Sequence, residues 1–361
     1  MTIAATSSTV PLASTGDRSR RGITAVLLLV TLLVAACFVS LISGPTGVGL
    51  SDLVTYFSGK SALAQQDRIV LEAVRLPRTL MGVLVGAGLG LSGAMMQGLF
   101  RNPLADPGIV GITSGASLAA VAAIVLGPGL LLPLQTVLGE EFLPIMAFCG
   151  ALLNTALLYA IASRGGQTST IALVLSGIAI GALSMAATGL LIFMADDRAL
   201  RDITFWNLGS LGGATYAKAA SIAPFILGAL AAVPFIARGL DALVLGDAAA
   251  FHMGIPVERL KRVSVLIVAA ACGAAVAVAG SIAFIGIVVP HLLRMAIGPS
   301  HRFLLPASAL GGASLLLLAD SLARTIVAPA ELPIGIVTAL IGAPVFLLLL
   351  LGRSGRGMMQ D

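Results

Sequence analysis

The sequence predicts an all-α, polytopic membrane protein with ten transmembrane helices, and three observations carry that expectation. Of 361 residues, 58% are hydrophobic and only 10% charged, whereas a soluble domain holds about 25% charged residues. Mean hydropathy is +1.05. Low-charge runs of about 20 residues, the length that crosses a bilayer, recur along the chain with short connectors between them. No large soluble domain fits in what remains, so any energy-coupling ATPase must be a separate chain.

The first run, 22–43, follows Arg18, Arg20 and Arg21. It is longer than the apolar region of a signal peptide and reads as a span after a cytoplasmic tail, 1–21. Val34-Ala35-Ala36-Cys37 resembles a lipoprotein cleavage box, yet apolar residues continue past Cys37 where a polar tether would begin. Later spans read as 79–100, 108–127, 142–162, 170–194, 219–237, 263–280, 281–297, 304–323 and 333–351, followed by a tail, 352–361. The hardest division lies at Gly280, because 263–290 carries no charge and is long for one span and short for two. Summed charges help to decide. With ten spans, the inner side receives 13 Lys and Arg against six acids, and the outer side eight against ten. That satisfies the positive-inside rule and puts both termini, with Met253, in the cytoplasm, and Lys60 and Arg198 in the periplasm.

Composition removes several chemistries. Cys37, Cys149 and Cys272 lie inside apolar runs, which argues against a disulfide framework or a cysteine metal site. The net charge of +5 marks cytoplasmic loops rather than a nucleic-acid partner. Gly59-Lys60-Ser61 looks like the end of a phosphate-binding loop but has Val54 where the first glycine is required. Asp196-Asp197 lacks the third aspartate of a prenyltransferase magnesium site, since Leu200 stands there.

Gly82, Gly86 and Gly90 recur every four residues on the second span and form a flat ridge for close helix packing. Gly90-Leu91-Ser92-Gly93 also fits the GxSG of rhomboid-type intramembrane proteases, with His291 as a candidate base. Small residues are so common here that the match carries little weight. Arg101 to Gly108, RNPLADPG, is a polar turn held stiff by two prolines.

The run Arg75-Leu76-Pro77-Arg78, then Ser92-Gly93, Gln97, Arg101 to Pro107 and Gly111 to Ala116 resembles the permease family of ABC importers for iron–siderophores, haem and cobalamin. Gly280-x-Ile282-x-Phe284-Ile285-Gly286 with Pro290-His291 and Arg294, Asp320, Arg324, Glu331 to Gly335 and Gly342-Ala343-Pro344 extend the resemblance over about 65–351 in the family's order. It implies ten spans per subunit, a homodimeric pore, two cytoplasmic ATPase subunits that bind ATP, a periplasmic binding protein and an inner-membrane location. Asp196 to Gly213 most resembles the haem (hemin) permeases, so haem is the expected cargo, with ferric siderophores and cobalamin as alternatives. No cofactor is expected to be bound permanently, and no catalytic or metal-binding residue is expected.

The resemblance also implies roles for individual residues. Arg75, Arg78 and Arg324 are expected to project above the membrane and meet carboxylates of the binding protein, for which guanidinium groups are suited. Asn102 and Leu104 in the stiff turn, with Ser169 and Thr170 at the start of the fifth span, are expected to form the cytoplasmic gate; the last two also read as an N-cap. His291 lies in the family's Pro-His-x-x-Arg motif whatever the cargo, which favours a structural hydrogen bond over iron ligation.

The loop 239–262 is the longest inner connector and is expected to be the lever on which the ATPase pulls. Asp247 can N-cap a short helix, Gly254 can end it, and Pro256 suits the first position of the next helix. The family's pattern is matched by Gly246, Asp247, Ala250 and Gly254, with Met253 in place of leucine; Phe251 and Met253 supply apolar contact. Arg259, Lys261 and Arg262 can also meet anionic membrane lipid. The alternative from another class is a proton-coupled secondary transporter. It would need an ionisable relay deep in a span, for which the sequence offers only His291.

Overall fold

The computed structural model describes residues 15–44, 49–58, 64–164 and 167–351. Residues 1–14 and 352–361 of the expected tails, and Lys60, lie outside the described residues. The chain runs α1 (Thr15–Ile42), α2 (Leu50–Phe57), α3 (Gln65–Ile69), α4 (Leu76–Leu99), α5 (Ile112–Leu126), α6 (Leu132–Leu138), α7 (Phe142–Ala162), β1 (Ser163–Arg164) and β2 (Gln167–Thr168). It continues through α8 (Thr170–Phe193), α9 (Asp197–Leu208), α10 (Tyr216–Leu243), α11 (Asp247–His252), α12 (Val257–Ala279), α13 (Ile285–Ile297), α14 (His301–Ile326) and α15 (Ile334–Leu351). The two strands form only a minimal antiparallel hairpin, so the fold is all-α.

Seven helices among the described residues are long and apolar enough to cross a membrane. Three further apolar helices, Ile112–Leu126, Ile285–Ile297 and Ile334–Leu348, are shorter. At about 1.5 Å per residue, a 15-residue helix reaches only about 22 Å, against a hydrocarbon core of about 30 Å. Of the ten spans expected from the sequence, seven thus correspond to long apolar helices and three to short ones. Irregular backbone replaces the missing turns before each short helix. Such backbone is tolerated inside a bundle only where its polar groups find partners. Here Asn154 Nδ2 donates to the Gly111 carbonyl at 2.6 Å and the Ile334 N–H to the Gly209 carbonyl at 3.0 Å, while Gln97 Nε2 reaches the Ile287 carbonyl in the first turn of α13 at 3.1 Å.

The uncharged run 263–290 does divide at Gly280. Its φ is +72°, which a side-chain-bearing residue rarely adopts, and a Cβ there would overlap the Trp206 carbonyl. The Ser210 N–H bonds the Ala279 carbonyl at 2.8 Å, pinning the end of α12 to the chain leaving α9.

Helix α4 is the centre of the bundle and is buried along nearly its whole length. It packs antiparallel to α14 through glycines. A Cβ at Gly86 would lie 2.5 Å from the Gly312 carbonyl oxygen and 2.6 Å from Ala313 Cα, and one at Gly90 would overlap the Ser308 carbonyl. Gly82 meets the more yielding Leu317 side chain. Gly312 faces Gly86 in the same seam, and Gly93 brings α4 equally close to Gly286 of α13. Helices α1 and α8 leave most of their surface uncovered.

Candidate functional site

Polar residues gather at the two ends of this bundle and in one cavity between them. At the end where α4 begins and α14 finishes, Arg78 Nη2 donates to Asp320 Oδ1 at 2.8 Å and its Nη1 to both oxygens of Glu331 at 3.0 Å. Arg324, one turn after Asp320 on α14, pairs with Asp320 Oδ2 at 3.0 Å and donates to the Ser43 carbonyl at 3.0 Å and the Ser40 carbonyl at 3.1 Å. Arg75 donates to the Leu41 carbonyl. Arg75, Arg78 and Arg324 retain only 3%, 5% and 4% of their surface. The expectation that they project above the membrane is corrected: close α4–α14 packing brings Arg78 and Arg324 beside Asp320, which is wholly buried and needs cations next to it, while Arg75 is buried against the end of α1. Glu331, with a side chain 40% exposed, is the accessible member of the cluster.

At the opposite end, Asn102 Oδ1 accepts the Leu104 N–H at 2.9 Å, which holds the stiff turn in shape. Ser169 Oγ accepts the Ala172 N–H at 3.2 Å and so N-caps α8, with Thr170 as its first residue. Among the described residues no hydrogen bond or ion pair joins Asn102 or Leu104 to Ser169 or Thr170.

The stretch 239–262 is more helical than expected: α10 runs on to Leu243 and α12 begins at Val257, leaving 244–256 as the connector. Within it Gly246 (φ +100°) is the N-cap of α11 and Gly254 (φ +82°) follows its end. Asp247 is therefore the first helical residue rather than the cap, and Pro256 is the N-cap of α12 rather than its first residue. Freed from capping, the Asp247 carboxylate meets Lys261 Nζ at 2.7 Å and Arg101 Nη2 at 3.5 Å. Ala250 faces inward and is fully buried, while Phe251 and Met253 are 69% and 60% exposed. The exposed apolar side chains at the end of α11 are thus Phe251 and Met253, and Ala250 is turned away from the surface.

The cavity between the ends was not anticipated. It measures 390 Å³ and is lined by Thr113, Ser114 and Ser117 of α5, Ser184 and Thr188 of α8, and Asn207 of α9, with no ionisable side chain on its wall. Ser117 Oγ donates to Asn207 Oδ1 at 3.0 Å. Its sequence signal was hydroxyls four apart, 113 with 117 and 184 with 188, on otherwise apolar helices. Neutral hydroxyls offer many weak contacts and no strong ligand, as a passage requires. His291, in contrast, has its Nδ1 buried with no hydrogen-bond partner among the described residues.

Comparison with known proteins supplies the context for this geometry. Residues 32–352 match the FecCD transport family. The hemin transport system permease protein HmuU of Yersinia pestis is 48% identical over 278 residues, 77% of this chain and 82% of that relative. The vitamin B12 import system permease protein BtuC of Klebsiella pneumoniae is 40% identical over 343 residues, 94% of this chain and 96% of that relative. A solved metal-chelate type ABC transporter in an inward-facing conformation superposes with a TM-score of 0.77 at 32% identity, covering 91% of this chain and 99% of that one.

Proposed function

Since the chain belongs to the FecCD transport family and is the permease subunit of an ABC importer whose ATPase is a separate chain, we propose that it carries haem (hemin) from periplasm to cytoplasm. The observation that carries this cargo is the 48% identity to a hemin permease, against 40% to a vitamin B12 permease. In this reading ten helices cross the inner membrane, both termini are cytoplasmic, and two copies enclose the passage. The uncharged cavity between α5, α8 and α9 forms part of the wall, and the exposed face of α8 meets the second copy.

Docking of the periplasmic binding protein runs through the Arg78 cluster. Arg78 uses Nε and Nη2 on buried Asp320 and only Nη1 on Glu331, so an incoming carboxylate can take the place of Glu331 without uncovering Asp320. Arg75 and Arg324 set the floor of the same site. On the cytoplasmic side the ATPase grips Phe251 and Met253 on α11, and Asn102, Leu104, Ser169 and Thr170 close the exit when two copies meet.

The test is uptake by proteoliposomes holding this permease, its ATPase and its binding protein, offered hemin, a ferric siderophore or cyanocobalamin. ATP-dependent accumulation of hemin alone is the expected result. Accumulation of cyanocobalamin without hemin would overturn the cargo, and uptake driven by a proton gradient without ATPase would overturn the mechanism.

A further inference from the structure

Lys261 sits in the second turn of α12 with 5% of its surface exposed. An ammonium group has three donors, and here each has a partner on a different stretch of chain. Nζ lies 2.7 Å from Asp247 Oδ2 on α11, 3.1 Å from the Thr168 carbonyl on β2, and 3.4 Å from Glu258 Oε1 one turn earlier on α12. Glu258 returns the favour to the same peptide unit: its Oε2 accepts the Thr168 N–H at 2.9 Å. The Thr168 hydroxyl is held as well, by Tyr159 at 2.9 Å and Ser163 at 3.0 Å. Every polar group of Thr168 is therefore engaged, and the next residue, Ser169, caps α8.

This arrangement makes a continuous chain of charge-assisted bonds from the first residue of α11 to the entrance of α8. A second arm leaves the same carboxylate, since Asp247 also meets Arg101, which adjoins the Asn102–Leu104 turn. The two arms differ in strength. Both side chains of the Arg101–Asp247 pair are more than 40% exposed, so water screens it. The Lys261 arm is buried on the cation's side, so an ammonium withdrawn from its three partners loses more than the exposed Arg101 would. Moving Asp247 without Lys261 is thus costly, and moving Lys261 without Thr168 is costly too.

We propose that Lys261 is the positioning residue that transmits displacement of α11 to the start of α8, so that the ATPase opens the exit by moving Thr168 to Thr170 through it. The proposal rests on the reading of α11 as the ATPase's lever. The site itself is a 1,140 Å³ cavity bordered by Thr168, Ser169, Asp247, Phe251, Glu258 and Lys261, which puts lever and exit on one surface.

The test uses the full complex in proteoliposomes, with Cys37, Cys149 and Cys272 replaced and a single cysteine at position 170. Labelling of that cysteine by a maleimide is compared without nucleotide and after trapping with ATP and vanadate, a readout that needs no cargo. With Lys261 present the labelling rate should change between the two states by about tenfold, within the span typical of coupled sites. Lys261→Met should abolish the change while the complex still purifies intact and traps nucleotide, and Lys261→Arg should restore most of it. Normal switching in Lys261→Met overturns the proposal. So does loss of switching together with loss of the assembled complex, which Lys261→Arg would then rescue equally for both, since that is a packing role alone. A parallel variant, Phe251→Asp, separates the premise: if the ATPase still binds and switching persists, the lever reading fails; if the ATPase detaches while Lys261→Met switches normally, only the relay fails.

Discussion

Replacing Arg78 by Met keeps the length of the side chain and removes its charge. Asp320, which exposes none of its side chain, then keeps Arg324 at 3.0 Å but loses its contacts with Arg78 Nε and Nη2. Breaking one partner out of a buried pair costs about 3–5 kcal/mol; because Arg324 stays, about 3 kcal/mol is the expected loss. Glu331→Gln removes the other carboxylate from Arg78, but that side chain is 40% exposed, and pairs of this kind are worth about 0–1 kcal/mol. The two variants should therefore differ by about 2–3 kcal/mol, roughly thirty- to a hundredfold in the unfolding constant. Titration of the purified permease with SDS in mixed micelles, followed by the fluorescence of Trp206, the only tryptophan, measures both. Docking separates them in the other direction: Glu331→Gln should bind the binding protein at least as tightly as the parent, because it removes a competitor for Arg78. Equal destabilisation by the two variants, or weaker docking by Glu331→Gln, would refute the division into a buried anchor and an exchangeable carboxylate.

Gly90→Val should prevent α14 from seating on α4, since the obstructing atom is the backbone carbonyl of Ser308. Overpacking of this kind costs about 1–3 kcal/mol or more, and size-exclusion profiles should show aggregate in place of folded permease. Gly181→Leu on α8, where nothing lies within 4 Å, should leave the subunit folded and instead weaken association of two copies, read by crosslinking in the membrane. Ser169→Ala removes the cap of α8 and should cost about 1 kcal/mol, seen as faster maleimide reaction of a cysteine at position 170 in the nucleotide-free complex. Phe251→Ala with Met253→Ala should reduce copurification of the ATPase, whereas Ala248→Ser on the same helix should not.

The positions of the helices were legible because membrane spans need uninterrupted apolar runs, and the observed ends of α7, α8 and α13 fall within a few residues of those expected. Their shortness was not legible. Residues 101–108 were readable as a polar turn, but 280–284 are as uncharged as their neighbours, and their irregular path depends on the chain leaving α9, at Trp206, Gly209 and Ser210. Gly254 announced the end of α11, its start was expected one residue later than observed because Asp247 was read as the cap, and the inward turn of Ala250 depends on how that helix lies against its neighbours. The arginines were visible as charges near span ends. Asp320 and Arg324, four apart, were a readable hint of a local pair, but Arg78 meets Asp320 across 242 positions. Lys261 looked like one basic residue of a lipid-facing loop, because its three partners come from separate segments.

That separation of 242 residues has a consequence for how the protein is made. Helix α4 leaves the ribosome early with Arg78 near its start, and the carboxylate that neutralises it is not synthesised until α14 is almost complete. For most of translation the growing chain holds an uncompensated guanidinium at the edge of the bilayer, where ionised groups are costly. A product truncated before residue 320 can never lose that mark. Completion of the chain, rather than insertion of any single helix, is what hides the charge, and a membrane quality-control protease that recognises exposed polar groups would tell finished subunits from unfinished ones at this point.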